Sequence, residues 1–380
     1  MMSGLTAERA CADVDVLSRA GLGLDDFISE AITAVGRAVP WSGACVGTID
    51  PETLIITSAR EYGALEPDAE NDALFGAIEY GMDERTSFRQ LALGNRSSAA
   101  MHAEQWLDTS PRWDRLMRPV YGFGDEARSI CRDGSRTWGC AAYFREAGDR
   151  PFSPEEVDFL ERAASSVARG LRVGMMTRLA DMPIDADRVS GPAVVVFDAC
   201  DEVSHISLGA RERLEALASV PNTSDPMSVL TMLVSAARRM RADGSVQVPR
   251  IRMRTPAGMW LVLHASPLDG IDGTPGGVVL TIEEARPPEI VELVVAAFGL
   301  TLRERDVTRL VLQGLDTKEI ATRLHLSAYT VQDHLKSVFE KAGVRSRRDL
   351  ISRVYFDQYV PRLGAQVGPS GAFLDARSVE

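Results

Sequence analysis

Residues 300–355 contain four short stretches in which apolar residues recur at helical spacing, and each stretch begins at a recognisable helix cap. A Ser, Thr or Asp side chain can accept a hydrogen bond from the first free backbone amides of a helix, and an acidic residue three positions later can return the bond. The cap signals are, in chain order, Thr301 with Glu304, Asp316 with Glu319, Ser327, and Ser346 with Asp349. Gly314 and Gly343 follow the first and third stretches, where a glycine commonly ends a helix. This pattern predicts an all-α, four-helix domain at 297–357.

The second and third of these stretches predict a helix-turn-helix. A short helix is followed by a tight turn at His325-Leu326 and by a longer helix that buries Val331, Leu335 and Val338, at positions i, i+4 and i+7. In this arrangement the second helix enters the major groove of DNA. Its remaining outer face supplies candidate DNA contacts, namely Tyr329, Gln332, Asp333 and Lys336, with Thr330 and His334 toward the rim.

The same segment resembles LuxR/GerE-type DNA-binding domains over about sixty residues. The motifs that carry the resemblance are Leu300-Thr301-x-Arg303-Glu304, Lys318-Glu319-Ile320-Ala321, Ser327-x-x-Thr330-Val331-x-x-His334-Leu335 and Lys341-x-Gly343-Val344-x-Ser346-Arg347. The resemblance implies that Lys318, Thr330 and His334 hold DNA phosphates and that Gln332, Asp333 and Lys336 face base edges. Ser327 and Tyr329 complete the predicted DNA-binding set.

One position departs from the family pattern, because a lysine is common where this chain has Gln332. Glutamine can pair with adenine, and lysine favours guanine acceptors. Asp333 could accept from cytosine N4 or could exclude wrong sites by repelling phosphate. The alternative for the whole segment is a helical bundle that binds a protein partner through a solvated charged face.

The distribution of charge favours DNA as the partner of the C-terminal segment. The whole chain has a net charge of −12, whereas residues 299–360 contain eleven Lys and Arg against eight Asp and Glu. A local basic excess in an acidic chain is typical of a phosphate-binding surface. All three lysines of the chain, Lys318, Lys336 and Lys341, lie in this segment. Residues 1–298 therefore cannot hold a Walker P-loop, a lysine-dependent receiver site or a Schiff-base lysine.

Residues 1–180 predict a mixed α+β domain. The predicted strands are Ala44–Ile49, Thr53–Ser58 and Thr137–Phe144, set among predicted helices at 24–39, 72–94 and 154–178. Residues 130–172, with Trp138-Gly139, Arg150-Pro-Phe152-Ser153 and Glu156, resemble the end of a GAF domain, a small-molecule sensor module. The apolar stripe on the closing helix predicts either a coiled-coil dimer contact or packing on its own domain; it consists of Val157, Leu160, Ala164, Val167 and Leu171.

Residues 185–285 predict a second α+β domain that resembles a PAS domain. The predicted strands are Ala193–Phe197, Arg250–Arg254, Trp260–Ala265 and Gly277–Ile282, and the predicted helices are 206–218 and 226–241. A linker helix is expected at 286–296 and a flexible tail at 358–380. The five cysteines are scattered without metal-ligand spacing and are expected to be buried free thiols.

These features predict a cytoplasmic, multidomain α+β chain in which two sensor domains control a transcription-regulating, sequence-specific DNA-binding domain. The expected partners are double-stranded DNA, a second copy of the chain in a homodimer, and an unidentified small-molecule effector. No cofactor, metal or membrane contact is expected. Two alternatives remain: the N-terminal domains bind a partner protein instead of a ligand, or residues 1–285 hold an enzyme site, for which neither a Gly-x-Ser-x-Gly nor a His-Glu-x-x-His motif is present.

Overall fold

The fold is described by a computed structural model covering residues 4–65, 68–106, 109–176, 193–218, 225–244, 249–255, 259–355, 366–367 and 373–374. It is a mixed α/β structure with two large sheets and a C-terminal helical region. Both sheets belong essentially to one compact unit, and the helical region from residue 284 onward belongs to a second. Residues 256–258, between two of the predicted strands, and almost all of the predicted tail at 358–380 lie outside the described residues.

The first sheet has the strand order β2-β1-β5-β4-β3, and its neighbouring strands are antiparallel. In chain order, the elements around it are α1 Gly4–Arg19, α2 Leu24–Ala38, β1 Gly43–Ile49, β2 Ile56–Gly63, α3 Ala69–Gly81, α4 Phe88–Leu93, β3 Ser98–Ala100, a π-helical turn Trp113–Met117, β4 Phe123–Asp133, β5 Arg136–Glu146 and α5 Pro154–Met176. Consecutive residues of β5 point to opposite faces, so that Gly139 abuts Leu171 of α5 whereas Cys140 faces the side covered by α3.

The apolar stripe on α5 packs within its own domain. Its five residues, Val157, Leu160, Ala164, Val167 and Leu171, are all buried. They pack where α5 contacts α1, α2 and β4. Of the two predicted uses of this stripe, packing on the own domain is therefore the one observed.

The strands β3 and β4 were not predicted, and two predicted elements differ in extent. The core-facing positions of β4 include Glu126 and Arg128, which are fully buried charges, so the expected apolar alternation is missing. The predicted strand at Thr53–Ser58 is wrong in its start, because the turn continues to Leu54 at φ 61°. The predicted helix 72–94 is two helices, because the buried carboxylate of Glu84 organises the intervening turn by accepting from Thr86.

The second sheet repeats the strand order of the first, as β7-β6-β10-β9-β8. In chain order, its elements are β6 Ala193–Phe197, β7 Val203–Ile206, α6 Leu208–Ala218, α7 Pro226–Ala242, β8 Arg250–Arg254, β9 Trp260–Asp269 and β10 Pro275–Glu284. The four strands predicted here are present, and β7 is an addition. Helix α7 packs along α3 so closely that a Cβ on Gly76 would lie 2.8 Å from Met232 Cγ.

The second compact unit is built from helices. In chain order, its elements are α8 Pro287–Ala297, α9 Leu302–Leu312, α10 Thr317–Leu324, α11 Ala328–Ala342, α12 Arg347–Tyr355, and two short strands, β11 Gln366–Val367 and β12 Phe373–Leu374. Helix α11 packs on α9 and α10, and α12 packs on α8. The helix expected as a linker thus packs against the last helix of the C-terminal domain.

Three further expectations concern the burial of the cysteines, metal sites and membrane contact. Cys131 and Cys140 are buried, but Cys200 is exposed because it lies in the turn between β6 and β7, so the expectation of buried thiols is wrong there. Within the described ranges, no cluster of His, Cys, Asp and Glu is arranged to hold a metal ion. None of the described helices combines the length and the apolar character needed to cross a membrane.

Candidate nucleic-acid interface

Helix α10 begins at a complete capping box. The Asp316 Oδ1 atom accepts from the amides of Lys318 and Glu319 at 2.8 and 2.9 Å, and Glu319 Oε2 accepts from the Asp316 amide at 2.6 Å. These bonds satisfy amides that have no partner inside the helix and lower the pKa of Asp316. The exposed Lys318 therefore lies in the first turn of a helix whose start is fixed.

The turn between α10 and α11 is fixed by backbone geometry. His325 ends α10 in the left-handed conformation, at φ 55°, and the Leu326 amide donates to the Ala321 carbonyl at 2.9 Å. Ser327 then caps α11 by accepting from the Thr330 amide at 3.0 Å. The predicted tight turn at His325-Leu326 and the predicted cap at Ser327 are both observed.

Helix α11 has a continuous buried side. Val331, Leu335, Val338 and Ala342 are buried there, as predicted for the first three. Ile320 of α10 and Val307 and Val311 of α9 are also completely buried. Helices α9 and α10 thus hold α11 in a fixed orientation, which leaves its opposite side for solvent or a partner.

The predicted base-reading residues form one exposed stripe on α11. Tyr329, Gln332, Asp333 and Lys336 are all exposed, at positions i, i+3, i+4 and i+7. The side chain of Tyr329 is 73% exposed, an unusual state for a large aromatic residue. Thr330 and His334 are half-buried, which matches their predicted place at the rim.

The hydroxyl groups of Ser327 and Thr330 form a pair at the start of α11, with 2.8 Å between the two oxygens. Only one of the two hydroxyl hydrogens is used in this pair, so the other can be donated outward. A helix start with exposed donors favours a bound anion such as a DNA phosphate. The structure therefore brings Ser327, Thr330 and the exposed stripe together on one helix.

Two internal contacts of this domain were missed by the sequence analysis. Glu304 caps α9 and also accepts from Lys341 Nζ at 2.6 and 2.8 Å and from Ser337 Oγ at 2.7 Å, which ties α9 to α11. The guanidinium of Arg347 donates to the Leu315 carbonyl just beyond α9. Lys341 and Arg347 belong to the family motif, which was a sign that both residues matter. The spacing of residues in the sequence did not predict the partner of either one.

Further exposed charges near the helix-turn-helix were also missed. Arg323 lies in the last turn of α10, Arg345 lies just before α12, Arg348 lies in its first turn, and Glu340 continues the exposed stripe of α11. For Arg323, the preference for basic residues in the last turn of a helix was available as a signal. The α11 stripe itself carries two carboxylates and one lysine, so attraction to phosphate has to come largely from residues outside it.

Comparisons with known proteins place the C-terminal domain in a family. The family model for bacterial regulatory proteins of the luxR family matches residues 299–354. The spore germination protein GerE of Bacillus subtilis is 42% identical over 52 residues, which cover 14% of this chain and 70% of that protein.

Other relatives match the same part of the chain. A Mycobacterium bovis protein named as an HTH-type transcriptional regulator is 53% identical over 53 residues, but the match spans only 6% of that protein. The nitrate/nitrite response regulator protein NarL of Escherichia coli is 46% identical over 48 residues, 13% of this chain and 22% of that protein.

A solved structure, the phage VqmA-DPO complex, aligns over 43% of this chain and 79% of its own at 18% identity, with a TM-score of 0.23. The chain belongs to the LuxR family of bacterial regulatory proteins.

Proposed function

We propose that this chain is a sequence-specific DNA-binding regulator of transcription, in which α11 enters the major groove of double-stranded DNA. The observation that carries the proposal is the exposed stripe on α11, opposite a buried side that fixes the orientation of the helix. A capped helix-turn-helix with such a polar face is the geometry by which proteins of this architecture read base edges. Membership in a family of regulators, not of enzymes, supports the same conclusion.

The residues divide into two roles in this proposal. Lys318, Ser327, Thr330 and His334 hold the phosphate backbone and set the position of α11. Gln332, Asp333 and Lys336 read bases, each with about 1–3 kcal/mol of discrimination, and Tyr329 lies beside them at the N-terminal end of the stripe. Asp333 adds selectivity, because a carboxylate next to phosphate raises the free energy of every misaligned complex.

We further propose that the N-terminal regions are sensor domains that control the DNA-binding domain, in a one-component regulator acting as a cytoplasmic homodimer. The proposed boundaries are 1–180 for a GAF-like domain, 185–285 for a PAS-like domain, 286–296 for a linker helix, 297–357 for the DNA-binding domain and 358–380 for a flexible tail. The two five-stranded sheets with the same strand order support two related modules. A two-fold dimer would read half-sites about one helical turn apart.

The test is a set of gel-shift titrations on DNA sites selected by the full chain from a random library. Gln332→Ala and Lys336→Ala are expected to weaken binding by about 1–3 kcal/mol each and to relax the preference at particular base positions. Asp333→Ala is expected to raise affinity for unrelated DNA. Wild-type binding should weaken as salt rises, and Lys318→Ala should reduce the salt slope by about one.

The matched control is Arg211→Ala, which removes an exposed positive charge from α6 in the other compact unit. It should leave affinity and site preference unchanged. If Gln332→Ala and Lys336→Ala also leave both unchanged, α11 is not the reading helix. Selected sites without two-fold symmetry would contradict the homodimer.

A further inference from the structure

A cavity of about 50 Å³ lies inside the first compact unit, between the first sheet and α3, with α7 at its edge. Most of its lining is apolar or aromatic, including Phe75, Tyr121 and Met232. Three charged side chains also line it, namely Glu61, Asp72 and Arg128. Charged groups in an otherwise apolar enclosure fix the orientation and the charge of whatever binds there.

The two carboxyl groups are neighbours and share their environment. Glu61 on β2 and Asp72 at the start of α3 interact through a side-chain hydrogen bond, and Ser228 of α7 donates to Asp72 Oδ2 at 2.9 Å. The Glu61 Oε2 atom is buried and has no hydrogen-bond partner among the described residues. Burial and the nearby Asp72 raise the pKa of Glu61 to about 8, so that a proton is shared by the pair near neutral pH.

Arg128 contributes a hydrogen-bond donor and little free charge. Its side chain is 1% exposed and forms ion pairs with Glu79 at 3.0 Å and Glu126 at 2.9 Å, while its guanidinium carbon lies 3.7 Å from the centre of the Phe88 ring. These partners compensate its charge. The Arg128 Nη2 atom nevertheless has no hydrogen-bond partner in the described part of the chain. A ligand oxygen is what such a buried donor requires.

We propose that this cavity binds a short amino alcohol as its ammonium ion, with the ammonium group between Glu61 and Asp72 and the hydroxyl oxygen accepting from Arg128. The proposal rests on the proposed sensor function of residues 1–180 and names its effector class. The carboxyl pair selects a cation with several donor hydrogens, and aromatic rings such as those of Phe75 and Tyr121 in the lining favour a positive charge nearby. A volume of about 50 Å³ holds about four water-sized groups, which limits the ligand to a very short chain.

Occupation of the cavity would be sensed directly by α7. Ser228 is hydrogen-bonded to Asp72, and Met232 both lines the cavity and packs against Gly76 of α3. When the ammonium ion replaces the shared proton, Glu61 becomes ionised, and Asp72 exchanges its hydrogen bond with Glu61 for one from the ammonium group while keeping the bond from Ser228. The contact between α3 and α7 is therefore the place where binding would be transmitted toward the second sheet.

The test is isothermal titration of the full chain with ethanolamine, with ethylene glycol and glycolate as neutral and anionic counterparts of similar size. Ethanolamine is expected to bind saturably and at least about ten times more tightly than either counterpart. Glu61→Gln and Asp72→Asn should each weaken ethanolamine at least about tenfold. Glu70→Gln, the same charge change at an exposed position of α3, should have no effect.

The affinity should also depend on pH, because Glu61 must lose its proton to pair with the ammonium ion. Ethanolamine stays protonated between about pH 6 and 8, so its apparent affinity should rise up to about tenfold per pH unit in this range and level off above it. The titratable and charged groups that face the pair are Cys45 on β1, Asp68 at the start of α3, Tyr121, Arg128 on β4, and Asp225 at the start of α7. Binding should release close to one proton near pH 7, measurable in buffers of different ionisation enthalpy.

Equal binding of ethylene glycol or glycolate, absence of ethanolamine binding, or unchanged binding by both Glu61→Gln and Asp72→Asn would overturn the proposal. If either variant fails to fold, the comparison of the three ligands on the wild-type chain still decides whether the proposal holds. Gel shifts on the same preparations separate the two proposals. Intact DNA binding without ethanolamine binding rejects only the effector, whereas loss of DNA binding alone rejects the proposed function.

Discussion

Glu304 combines two structural tasks in one buried side chain. It returns the capping-box hydrogen bond to the Thr301 amide at 2.7 Å and pairs with Lys341 of α11. Burial by itself would raise the pKa of this carboxyl group, but hydrogen bonds from Lys341, Ser337 and the Thr301 backbone outweigh it and lower the pKa to about 2. The ionised carboxylate is therefore the form that stabilises the DNA-binding domain.

We expect Glu304→Gln to destabilise this domain in a pH-dependent way. In the unfolded chain a glutamate has a pKa of about 4.3, so the ionised side chain stabilises the folded state fully above about pH 5. This stabilisation is lost as the pH falls through the folded value of about 2. At neutral pH the loss should be about 1.5–3 kcal/mol, the usual contribution of hydrogen bonds to a charged group.

Hydrogen exchange of the α9 and α11 amides in the full chain measures this effect locally. The difference between wild type and Glu304→Gln should be largest at pH 5 and above and should shrink toward about pH 2. Glu340→Gln is the control, because Glu340 is exposed and lies next to Lys341 in sequence. A difference that does not change with pH would show that the ion pair with Lys341 is not its source.

At the scale of elements, the turns that end α9 and α11 help to fix the position of α11 in its domain. Gly343 closes α11 at φ 63°, as expected from the sequence, and the Val344 amide donates to the Phe339 carbonyl at 2.9 Å, which completes a Schellman motif. Gly314 does the same for α9 at φ 89°, with the Leu315 amide donating to the Leu310 carbonyl at 3.1 Å. Both turns require a residue that adopts the left-handed conformation at low cost.

We expect Gly343→Ala to destabilise the C-terminal end of α11 by about 1–2 kcal/mol, the cost of a left-handed conformation for an ordinary residue. A Cβ at this position would meet nothing within 4 Å, so the cost is conformational and not steric. Gly343→Asn should recover part of the loss, since asparagine tolerates this conformation. Hydrogen exchange of the α11 and α12 amides measures this loss of stability and its recovery.

Gly148→Ala is the matched control for this substitution. The space around Gly148 is equally open, and its backbone is not in the left-handed region, so alanine should be tolerated there. If Gly343→Ala leaves exchange in α11 as unaffected as Gly148→Ala does, the αL cap does not limit the stability of the helix end.

The elements of the C-terminal domain could be predicted because their signals are local. A cap such as Asp316 and the amide that it accepts from lie within three residues of each other, so sequence alone contains the interaction. The partner of Lys341 lies 37 residues away, and no periodicity contains such a pair. The exposed stripe could be predicted, but the residues that hold it in place could only be found in the structure.

The first sheet was harder to predict because its core is partly ionic. Arg112, Glu126 and Arg128 are 0%, 0% and 1% exposed, and Arg112 Nη2 pairs with Glu126 at 2.9 Å. Pattern-based prediction places charges on the surface and therefore misses a strand whose buried face contains them. The candidate effector cavity could not be predicted either. Its charged residues lie on strands and a helix that are distant in sequence, and sequence patterns do not show that they meet.

At the scale of the whole molecule, the two sheets of the first compact unit are joined by a buried ion pair. Arg252 on β8 donates to Asp50, at the end of β1, through Nε at 2.9 Å and Nη2 at 2.8 Å, and both side chains are 1% exposed. Arg239 of α7 also pairs with Asp83 after α3, but Asp83 is 95% exposed. The first pair is shielded from water and the second is not, so their contributions to stability should differ widely.

We expect Arg252→Ala to destabilise the first compact unit by about 3–5 kcal/mol, because Asp50 would remain as a buried carboxylate without its cation. Arg239→Ala should cost less than about 1 kcal/mol. Urea titrations followed by tryptophan fluorescence report on this unit, since Trp113 and Trp138 are buried in it. The double variant Asp50→Leu with Arg252→Met should be more stable than Arg252→Ala, because it leaves no unpaired charge. If Arg252→Ala costs no more than Arg239→Ala, the buried pair does not hold the two sheets together, and other contacts, such as the close packing of α3 on α7 and the Arg250–Glu52 ion pair, must do so.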